Sequence, residues 1–279
     1  MSQPIEVLSP WDGSLVGRVP ISSPAEVDAA LTTLERGRAV FTDLPAHERA
    51  VILHRLGDLL DEHSESLARL ITREMGKTIR DARVEMARAA NTARAAGDEA
   101  RRMHGEILDS DAYPPIRGRW GLVHRRPLGI VLAITPFNFP VNLAVHKLGP
   151  AFAVGCPVLF KPGPQTALSG LRLAELCYEA GFPAETLQCV VPDIPTLREV
   201  IAGDRIAVVS FTGGVPTSKA IARDAGGKKL LFELGGNDPL MVFEDADLDA
   251  AVQTAIAMRF GTAGQRCTCL LYTSPSPRD

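Results

Sequence analysis

The hydrophobic pattern divides the chain into a helical first third and a remainder in which short apolar runs alternate with helices. Between residues 24 and 103, apolar positions recur at intervals of three and four, the spacing of one face of an α-helix. This pattern predicts helices over about 24–41 and 78–103, and between them a helical stretch that opens near Pro45 and includes Ile71, with a break near His63–Ser64. The first 23 residues predict short extended segments with a turn at Asp12–Gly13.

After residue 119 the pattern changes to that of strands. Trp120 to Arg126 predicts a strand with exposed cationic positions, and Ile130–Ile134 is a continuous apolar run typical of a strand buried on both faces. Further predicted strands over 158–160, 188–191 and 207–211 alternate with helices over 142–154, 166–180, 195–202 and 216–225. Such alternation indicates βαβ units. We therefore expect an α/β fold, a doubly wound Rossmann-like parallel sheet after an amino-terminal helical segment, with ligands at the carboxyl ends of its strands.

A further segment begins near Lys229. It predicts strands at Leu230–Leu234 and Leu240–Phe243, then a helix that Asp247 caps and that ends near Arg259. A Gly-rich turn over 261–267 follows.

Composition and charge exclude several classes of protein. The net charge is −3, from 30 Lys and Arg against 33 Asp and Glu, which gives no support for binding to nucleic acid or to a membrane surface. No run approaches the roughly 20 apolar residues that cross a bilayer, and the amino terminus lacks the pattern of a signal peptide. The five cysteines form no CxxC or zinc-binding spacing, so we expect reduced thiols, no metal site and a cytoplasmic location.

Cys267 is the cysteine whose surroundings favour chemistry. It follows a Gly-rich turn after a helix, where a thiol can be exposed and nearby backbone N–H groups can lower its pKa or hold an oxyanion. The alternative is a small buried apolar residue, the commoner state of a free cysteine. We interpret the remaining cysteines as structural or accidental: Cys156, Cys177, Cys189 and Cys269.

Two polar residues at strand ends are candidates for acid–base and oxyanion roles. Glu233 ends an apolar strand before two glycines, a position that suits a general base; the alternative is a carboxylate that points into solvent. Asn138 follows the first buried strand, where its side-chain N–H suits an oxyanion; alternatively it bonds its own turn.

Two further strand ends suit nucleotide binding. Lys161 is placed to reach ribose hydroxyls or phosphate, or else is a solvated charge. The run Phe211–Gly214 ends a strand and opens a helix, which brings backbone N–H groups to a pyrophosphate. Neither GxGxxG nor GxxxxGK[ST] occurs, so each of these signals is weak by itself.

The order and spacing of these motifs resemble the aldehyde dehydrogenase superfamily over residues 5–268. The matching segments are Pro136-Phe137-Asn138-Phe139-Pro140, Lys161-Pro162, Phe211-Thr212-Gly213-Gly214, Glu233-Leu234-Gly235-Gly236-Asn237, Gly264-Gln265-x-Cys267, Glu74-x-Gly76-Lys77 and Arg119 to Pro127.

The resemblance implies catalytic roles for three residues. Cys267 would attack an aldehyde to give a thiohemiacetal and, after hydride transfer, a thioester. Asn138 and the Cys267 backbone N–H would hold the oxyanion. Glu233 would activate the water that releases a carboxylic acid, and its retention favours hydrolysis over transfer to coenzyme A.

The resemblance also implies NAD or NADP as the cofactor. Pro164 stands where NAD-preferring members often carry a Glu that repels a 2′-phosphate, so both cofactors stay open. Gly214 stands where a phosphate-binding Ser is frequent. Lys161 would bind the adenosine ribose. The cofactor residues implied are Thr135, Pro136, Phe137, Lys161, Gly163, Pro164, Phe211, Thr212, Gly213, Gly214, Leu234 and Gly235.

By the same resemblance, residues 1–235 would form a nicotinamide-cofactor-binding domain, and residues 236–268 would be the truncated start of a second α/β domain, the catalytic one. The strand near 119–127 would be a bridging strand whose partner lies outside the chain. Residues 269–279 resemble the translation of a transposase-type sequencing adapter; a natural disordered tail is the alternative. We expect the natural gene to continue beyond Thr268, the full-length protein to be a homodimer or homotetramer, and the chain alone to be inactive.

Three other functions stay open. One is a coenzyme A-acylating aldehyde dehydrogenase, the second a cysteine hydrolase that uses Cys267 and Glu233 without a nicotinamide, and the third a non-catalytic cofactor-binding protein. The run from Glu233 to Pro239 is similar to members that act on small polar aldehydes, such as lactaldehyde or phosphonoacetaldehyde.

Overall fold

The amino-terminal third is an antiparallel hairpin followed by four helices, which confirms the predicted pattern. The computed structural model describes residues 3–110 and 114–269. Its first elements are β1 (Ile5–Leu8), β2 (Leu15–Val19), α1 (Pro24–Asp43), α2 (Ala46–Glu62), α3 (Ser64–Met75) and α4 (Ile79–Arg102). Ser23 and Glu26 form a reciprocal capping box that starts α1. Gly76 ends α3 at a φ of 73°, which favours glycine.

The predicted strand near residues 119–127 is present but shorter, and it has a partner within the chain. β3 (Glu106–Asp109) pairs antiparallel with β4 (Trp120–Val123). Sequence reasoning placed the partner of this strand outside the chain and missed β3, because two adjacent apolar residues, Ile107 and Leu108, are too short a run to predict a strand. A further partner outside the chain stays a prediction. The side chain of Trp120 is exposed on this ribbon.

A five-stranded parallel sheet follows, as predicted. Its strands are β5 (Ile130–Ile134), β6 (Val158–Lys161), β7 (Leu187–Cys189), β8 (Ile206–Gly213) and β9 (Lys229–Leu234). The helices between them are α5 (Asn142–Val154), α6 (Ala167–Ala180), α7 (Ile194–Ala202) and α8 (Val215–Ala225). The strand order β7-β6-β5-β8-β9 winds outward from β5 to both sides, so this is a doubly wound, Rossmann-like sheet.

Alternate residues of β5 enter two separate cores, one on each face of the sheet. Val131 and Ala133 pack with α2, α4, α5 and α6. Ile130, Leu132 and Ile134 pack with α1, α7 and α8. Because helices cover both faces, this strand has no polar alternation, and the sequence shows a continuous apolar run.

The chain after β9 differs from the prediction at one element. Leu240–Phe243 was predicted as a strand, and this was wrong: the segment has no regular structure. A strand needs a neighbour for its backbone groups, and the described residues form no ladder with this run. α9 (Leu248–Phe260) follows as predicted, capped by Asp247. Within the described ranges, none of the helices combines the length and apolar character that crossing a bilayer requires.

Candidate active site

The carboxyl ends of the parallel strands bring the predicted cofactor residues to one edge of the sheet. β5 ends before Thr135, β6 ends at Lys161 and β8 ends at Gly213. The backbone N–H of Thr135 donates to the carbonyl of Lys161, 3.1 Å away. A Cβ on Gly163 would lie 3.2 Å from the carbonyl carbon of Pro136. The loops after β5 and β6 are therefore in direct contact.

Asn138 and Cys267 are far apart in the sequence but lie in loops that touch. The Nδ2 group of Asn138 donates to the backbone carbonyl of Gln265, 2.9 Å away, rather than to its own turn. A Cβ on Gly236 would lie 2.9 Å from the carbonyl oxygen of Cys267, so a glycine there lets the loop after β9 approach the cysteine backbone. The Cys267 side chain is exposed, so a small molecule can reach the thiol.

Glu233 lies near the end of β9 with an exposed carboxylate. The Thr212 hydroxyl on β8 donates to its Oε2 over 3.3 Å. Within the described residues, no hydrogen bond joins Glu233 to Cys267 or to Asn138. The carboxylate therefore lies at the same sheet edge as the other two candidates without bonding to them.

Lys147 is a buried cation near this edge that sequence reasoning missed. Its Nζ donates to the Ser210 hydroxyl, 3.1 Å away. Burial lowers the pKa of Lys147, and attraction to Glu233 opposes that shift. The signal that finds this residue is a lysine within the predominantly apolar helix α5, because lysines are rarely buried without a role or a partner.

A second buried cation, Lys77, holds the loop that carries Asn138. Its Nζ donates to Glu85 and to the Asn138 backbone carbonyl, each over 2.5 Å. The other oxygen of Glu85 accepts the backbone N–H groups of Val141 and Asn142 at 3.0 and 3.1 Å. Burial lowers the pKa of Lys77 and raises that of Glu85, and their mutual attraction opposes both shifts. The pair thus fixes both ends of this loop.

The first turns of α4 also hold the turn that leads to Cys267. The Oδ2 atom of Asp81 accepts the backbone N–H of Thr262 over 2.9 Å. Thr262 and Ala263 have positive φ angles of 58° and 54°. Such left-handed backbone costs about 1–3 kcal/mol per residue and persists only where the surroundings fix it. One helix therefore frames both loops of the site.

The sheet edge also fits a nucleotide that carries ribose and phosphate groups. Burial lowers the pKa of Lys161, and this lysine makes no ion pair in the described part of the chain. The hydroxyls of Thr135 and Thr166 are buried there without a hydrogen-bond partner among the described residues. Gly214 starts α8 without a side-chain cap, so the helix N-terminus presents its backbone N–H groups. These donors match the ribose hydroxyls and phosphates of NAD or NADP.

The remaining predicted cofactor residues lie around the same edge. Pro164 opens the short 3₁₀ turn before α6 and brings no carboxylate to it. The Phe211 ring fills the space that a Cβ on Gly213 would need. Leu234 ends β9 and is half-buried. Phe137 packs partly against the core on the α5 side of the sheet.

Several known proteins match almost the whole of this chain. A family model described as "Aldehyde dehydrogenase family" matches residues 1–271. The sulfoacetaldehyde dehydrogenase of Neptuniibacter caesariensis is 50% identical over 268 residues, which are 96% of this chain and 59% of that protein. Aspartate-semialdehyde dehydrogenase 1 of Pseudomonas canavaninivorans is 41% identical over 94% of this chain and 56% of its own length.

Comparison with solved structures gives the same kind of protein as comparison of sequences. NADP-dependent glyceraldehyde-3-phosphate dehydrogenase from Bacillus halodurans C-125, complexed with NADP, matches with a TM-score of 0.92 and 36% identity. That match covers 96% of this chain and 57% of the other. The chain thus spans a little over half the length of these relatives. Its motifs, its fold and these matches together show that the chain belongs to the aldehyde dehydrogenase family.

Proposed function

We propose that the protein oxidises an aldehyde to a carboxylic acid, with NAD or NADP as the oxidant. The observation that carries the proposal is the contact between the Asn138 amide and the Cys267 turn, 2.9 Å from Nδ2 to the Gln265 carbonyl. A nucleophile and an oxyanion donor must face the same carbonyl group, and this contact supports that pairing. The family match supports the reaction type.

The first half of the reaction is covalent chemistry at Cys267. The thiolate attacks the aldehyde carbon, and the carbonyl oxygen becomes an oxyanion. The side-chain amide of Asn138 and the Cys267 backbone N–H donate to that oxygen, a kind of contact whose removal costs about 10²–10³ in rate in other enzymes. When bound, NAD or NADP supplies the acceptor for the hydride that leaves the adduct. A thioester on Cys267 remains.

The second half is hydrolysis of the thioester. Glu233 takes a proton from water, the resulting hydroxide attacks the thioester carbon, and Cys267 leaves as the thiolate. The exposed position of Glu233 supports this role because its carboxylate is accessible to water. The presence of this carboxylate favours hydrolysis over transfer of the acyl group to coenzyme A.

The names of the relatives support a substrate class. Their names specify sulfoacetaldehyde, aspartate semialdehyde and glyceraldehyde 3-phosphate, each of which has an acid group besides its aldehyde. We extend the proposal to a short aldehyde that carries an anionic group. We also place the cofactor-binding domain at residues 1–235, with residues 236–268 in the catalytic domain.

The test measures reduced nicotinamide by its absorbance, with the protein expressed from its complete open reading frame. Sulfoacetaldehyde and NADP or NAD are the substrates, and the acid product is measured by mass spectrometry. We expect turnover by the unmodified protein and none by the C267S variant. The E233Q variant should reduce the cofactor once and then stop, with an acyl group retained on Cys267.

The matched control is C189S. Cys189 is a half-buried thiol on β7, and burial raises its pKa to about 12, so this variant should keep its activity. Absence of aldehyde-dependent cofactor reduction by the unmodified protein contradicts the proposal. So does a C267S variant that is as active as C189S.

A further inference from the structure

The Asn138 side chain is held by a single hydrogen bond in the described part of the chain. Its Nδ2 group donates one hydrogen to the Gln265 carbonyl, 2.9 Å away, which leaves its second hydrogen for a ligand. Its Oδ1 atom is buried without a hydrogen-bond partner among the described residues. One bond does not fix the direction of the second N–H. That direction therefore depends on the backbone that carries the side chain.

Lys77 and Glu85 bind this backbone at and after Asn138. The Lys77 Nζ lies 2.5 Å from the Asn138 carbonyl oxygen and 3.8 Å from the centroid of the Phe139 ring. Glu85 accepts the backbone N–H groups of residues 141 and 142 at 3.0 and 3.1 Å. The two side chains also bond to each other. A movement of the loop therefore breaks several of these contacts at once.

The pair is built from charges that water does not reach. Neither side chain has exposed surface. Apolar residues of similar volume are often as stabilising as a buried ion pair, or more so. What the pair adds over apolar side chains is direction, because hydrogen bonds have preferred lengths and angles. Direction matters most in a loop with a catalytic donor, since a misplacement of about 1 Å costs about 10²-fold in rate.

We propose that Lys77 and Glu85 are positioning residues, which hold Asn138 where its second N–H meets the oxyanion that forms at Cys267. Because neither side chain is exposed, they touch no substrate and act only through the Asn138 loop. The inference rests on the proposed function, since that function makes Asn138 an oxyanion donor. It adds that the rate of attack by Cys267 on a carbonyl group depends on this buried pair.

The test compares two reactions of the same thiol, one that forms an oxyanion and one that does not. Cys267 attacks the carbonyl carbon of p-nitrophenyl acetate, whose oxygen becomes an oxyanion; the adduct then expels p-nitrophenolate and leaves an acetyl thioester. With iodoacetamide the thiolate attacks the methylene carbon, and iodide leaves directly. Both reactions need the same thiolate, so the ratio of their rate constants cancels changes in the pKa of the thiol.

The protein is expressed from its complete open reading frame. The first equivalent of p-nitrophenolate is followed by stopped-flow absorbance, and alkylation of Cys267 by peptide mass spectrometry. The p-nitrophenolate rate of C267S is subtracted as background. N138A should lower the acylation-to-alkylation ratio about 10²–10³-fold, the usual effect of removing an oxyanion donor.

We expect K77M/E85L to lower the same ratio at least about tenfold, although it leaves no uncompensated charge buried. E85Q keeps the size of the side chain and one oxygen but not the charge, so it should lower the ratio by a smaller factor. In N138A/K77M/E85L the ratio should equal that of N138A alone, because the position of the loop has no effect once the donor is absent.

The matched control is E74Q. Glu74 is also a buried carboxyl group that accepts backbone N–H groups, but these belong to Leu168 and Ser169 at the start of α6. Its replacement weakens a different part of the fold and should leave the ratio unchanged.

An unchanged ratio in K77M/E85L, with a circular dichroism spectrum like that of the unmodified protein, overturns the inference. An equal decrease in E74Q also overturns it, because the effect would then be a general loosening of the fold. Losses that add in N138A/K77M/E85L show that the pair does not act through Asn138. An unchanged ratio in N138A rejects the oxyanion role of Asn138 and the inference with it.

The assay needs neither a nicotinamide nor an aldehyde, so its result is independent of aldehyde oxidation. The expected ratios in a protein that oxidises no aldehyde would keep the positioning role and reject the proposed function. Aldehyde oxidation with an unchanged ratio in K77M/E85L would keep the proposed function and reject the positioning role.

Discussion

Glu74 is a buried carboxyl group whose protonation makes the stability of the folded state depend on pH. Its side chain is 2% exposed. The backbone N–H groups of Leu168 and Ser169 and the Ser169 hydroxyl donate to it at the start of α6. Burial outweighs these donors and raises the pKa of Glu74 from 4.5 to about 7. The folded chain thus keeps this proton to a higher pH than the unfolded chain does.

This raised pKa predicts a loss of stability as pH rises. Between the unfolded and folded pKa values the folded state binds more protons, so the free energy of unfolding falls with increasing pH. For Glu74 that fall is at most about 3 kcal/mol between about pH 4.5 and 7. Urea unfolding at about pH 5 and about pH 8 should show a smaller difference in E74Q than in the unmodified protein. E199Q, at an exposed position of α7, is the control; an unchanged difference in E74Q contradicts the prediction.

At the scale of elements, α4 and the short segment between α3 and α4 stabilise the site through the Lys77–Glu85 pair. Neither side chain is exposed, and removal of one partner of a buried pair typically costs about 3–5 kcal/mol. We expect K77M to lower the free energy of unfolding by about that amount. The double variant K77M/E85L should lose less, because no uncompensated charge stays buried.

Denaturant titration of the single and double variants measures this coupling. R101M serves as the control because Arg101 is exposed on the same helix, and its effect should be small. If K77M/E85L loses the sum of the losses of K77M and E85L, the two side chains do not act as a pair.

The elements that sequence could predict are those whose signal is local. The run Ile130–Ile134 and the alternation after it indicated the parallel sheet because burial on both faces leaves a continuous apolar pattern. The strand β3 gave no such signal, since only its two central residues, Ile107 and Leu108, are apolar. Leu240–Phe243 gave a false one, because an apolar run does not show whether a neighbouring strand exists.

The sequence motifs predicted which residues belong to the site, but not the contacts between them. Asn138, Glu233 and Cys267 follow from a resemblance. The structure places Asn138 and Glu233 at the carboxyl ends of their strands and the turn before Cys267 against Asn138. The bond from Asn138 to Gln265 spans 127 positions, so no local pattern shows it. The role of Lys77 was hidden for the same reason, since its bond to the Asn138 carbonyl spans 61 positions.

At the scale of the whole molecule, exposed apolar side chains concentrate in two regions, while the two cores bury theirs. One region is the β3–β4 ribbon, where Trp120 and Leu122 are exposed. The other runs from residue 240 through α9, a helix with no buried residue among those described. Apolar patches larger than a few hundred Å² mark surfaces that associate with other molecules. We infer that these surfaces are contacts between copies of this chain.

We therefore expect the chain to self-associate as its concentration rises, and V252E to weaken that association. Val252 lies on α9 with 54% of its surface exposed, so a carboxylate there adds a desolvation cost to the contact without disturbing a core. The control is Q253E, which adds the same charge at an exposed polar position of the same helix. Sedimentation velocity over a range of concentrations measures the effect. A monomer at every concentration, or an equal change in V252E and Q253E, would show that the apolar face of α9 does not drive association.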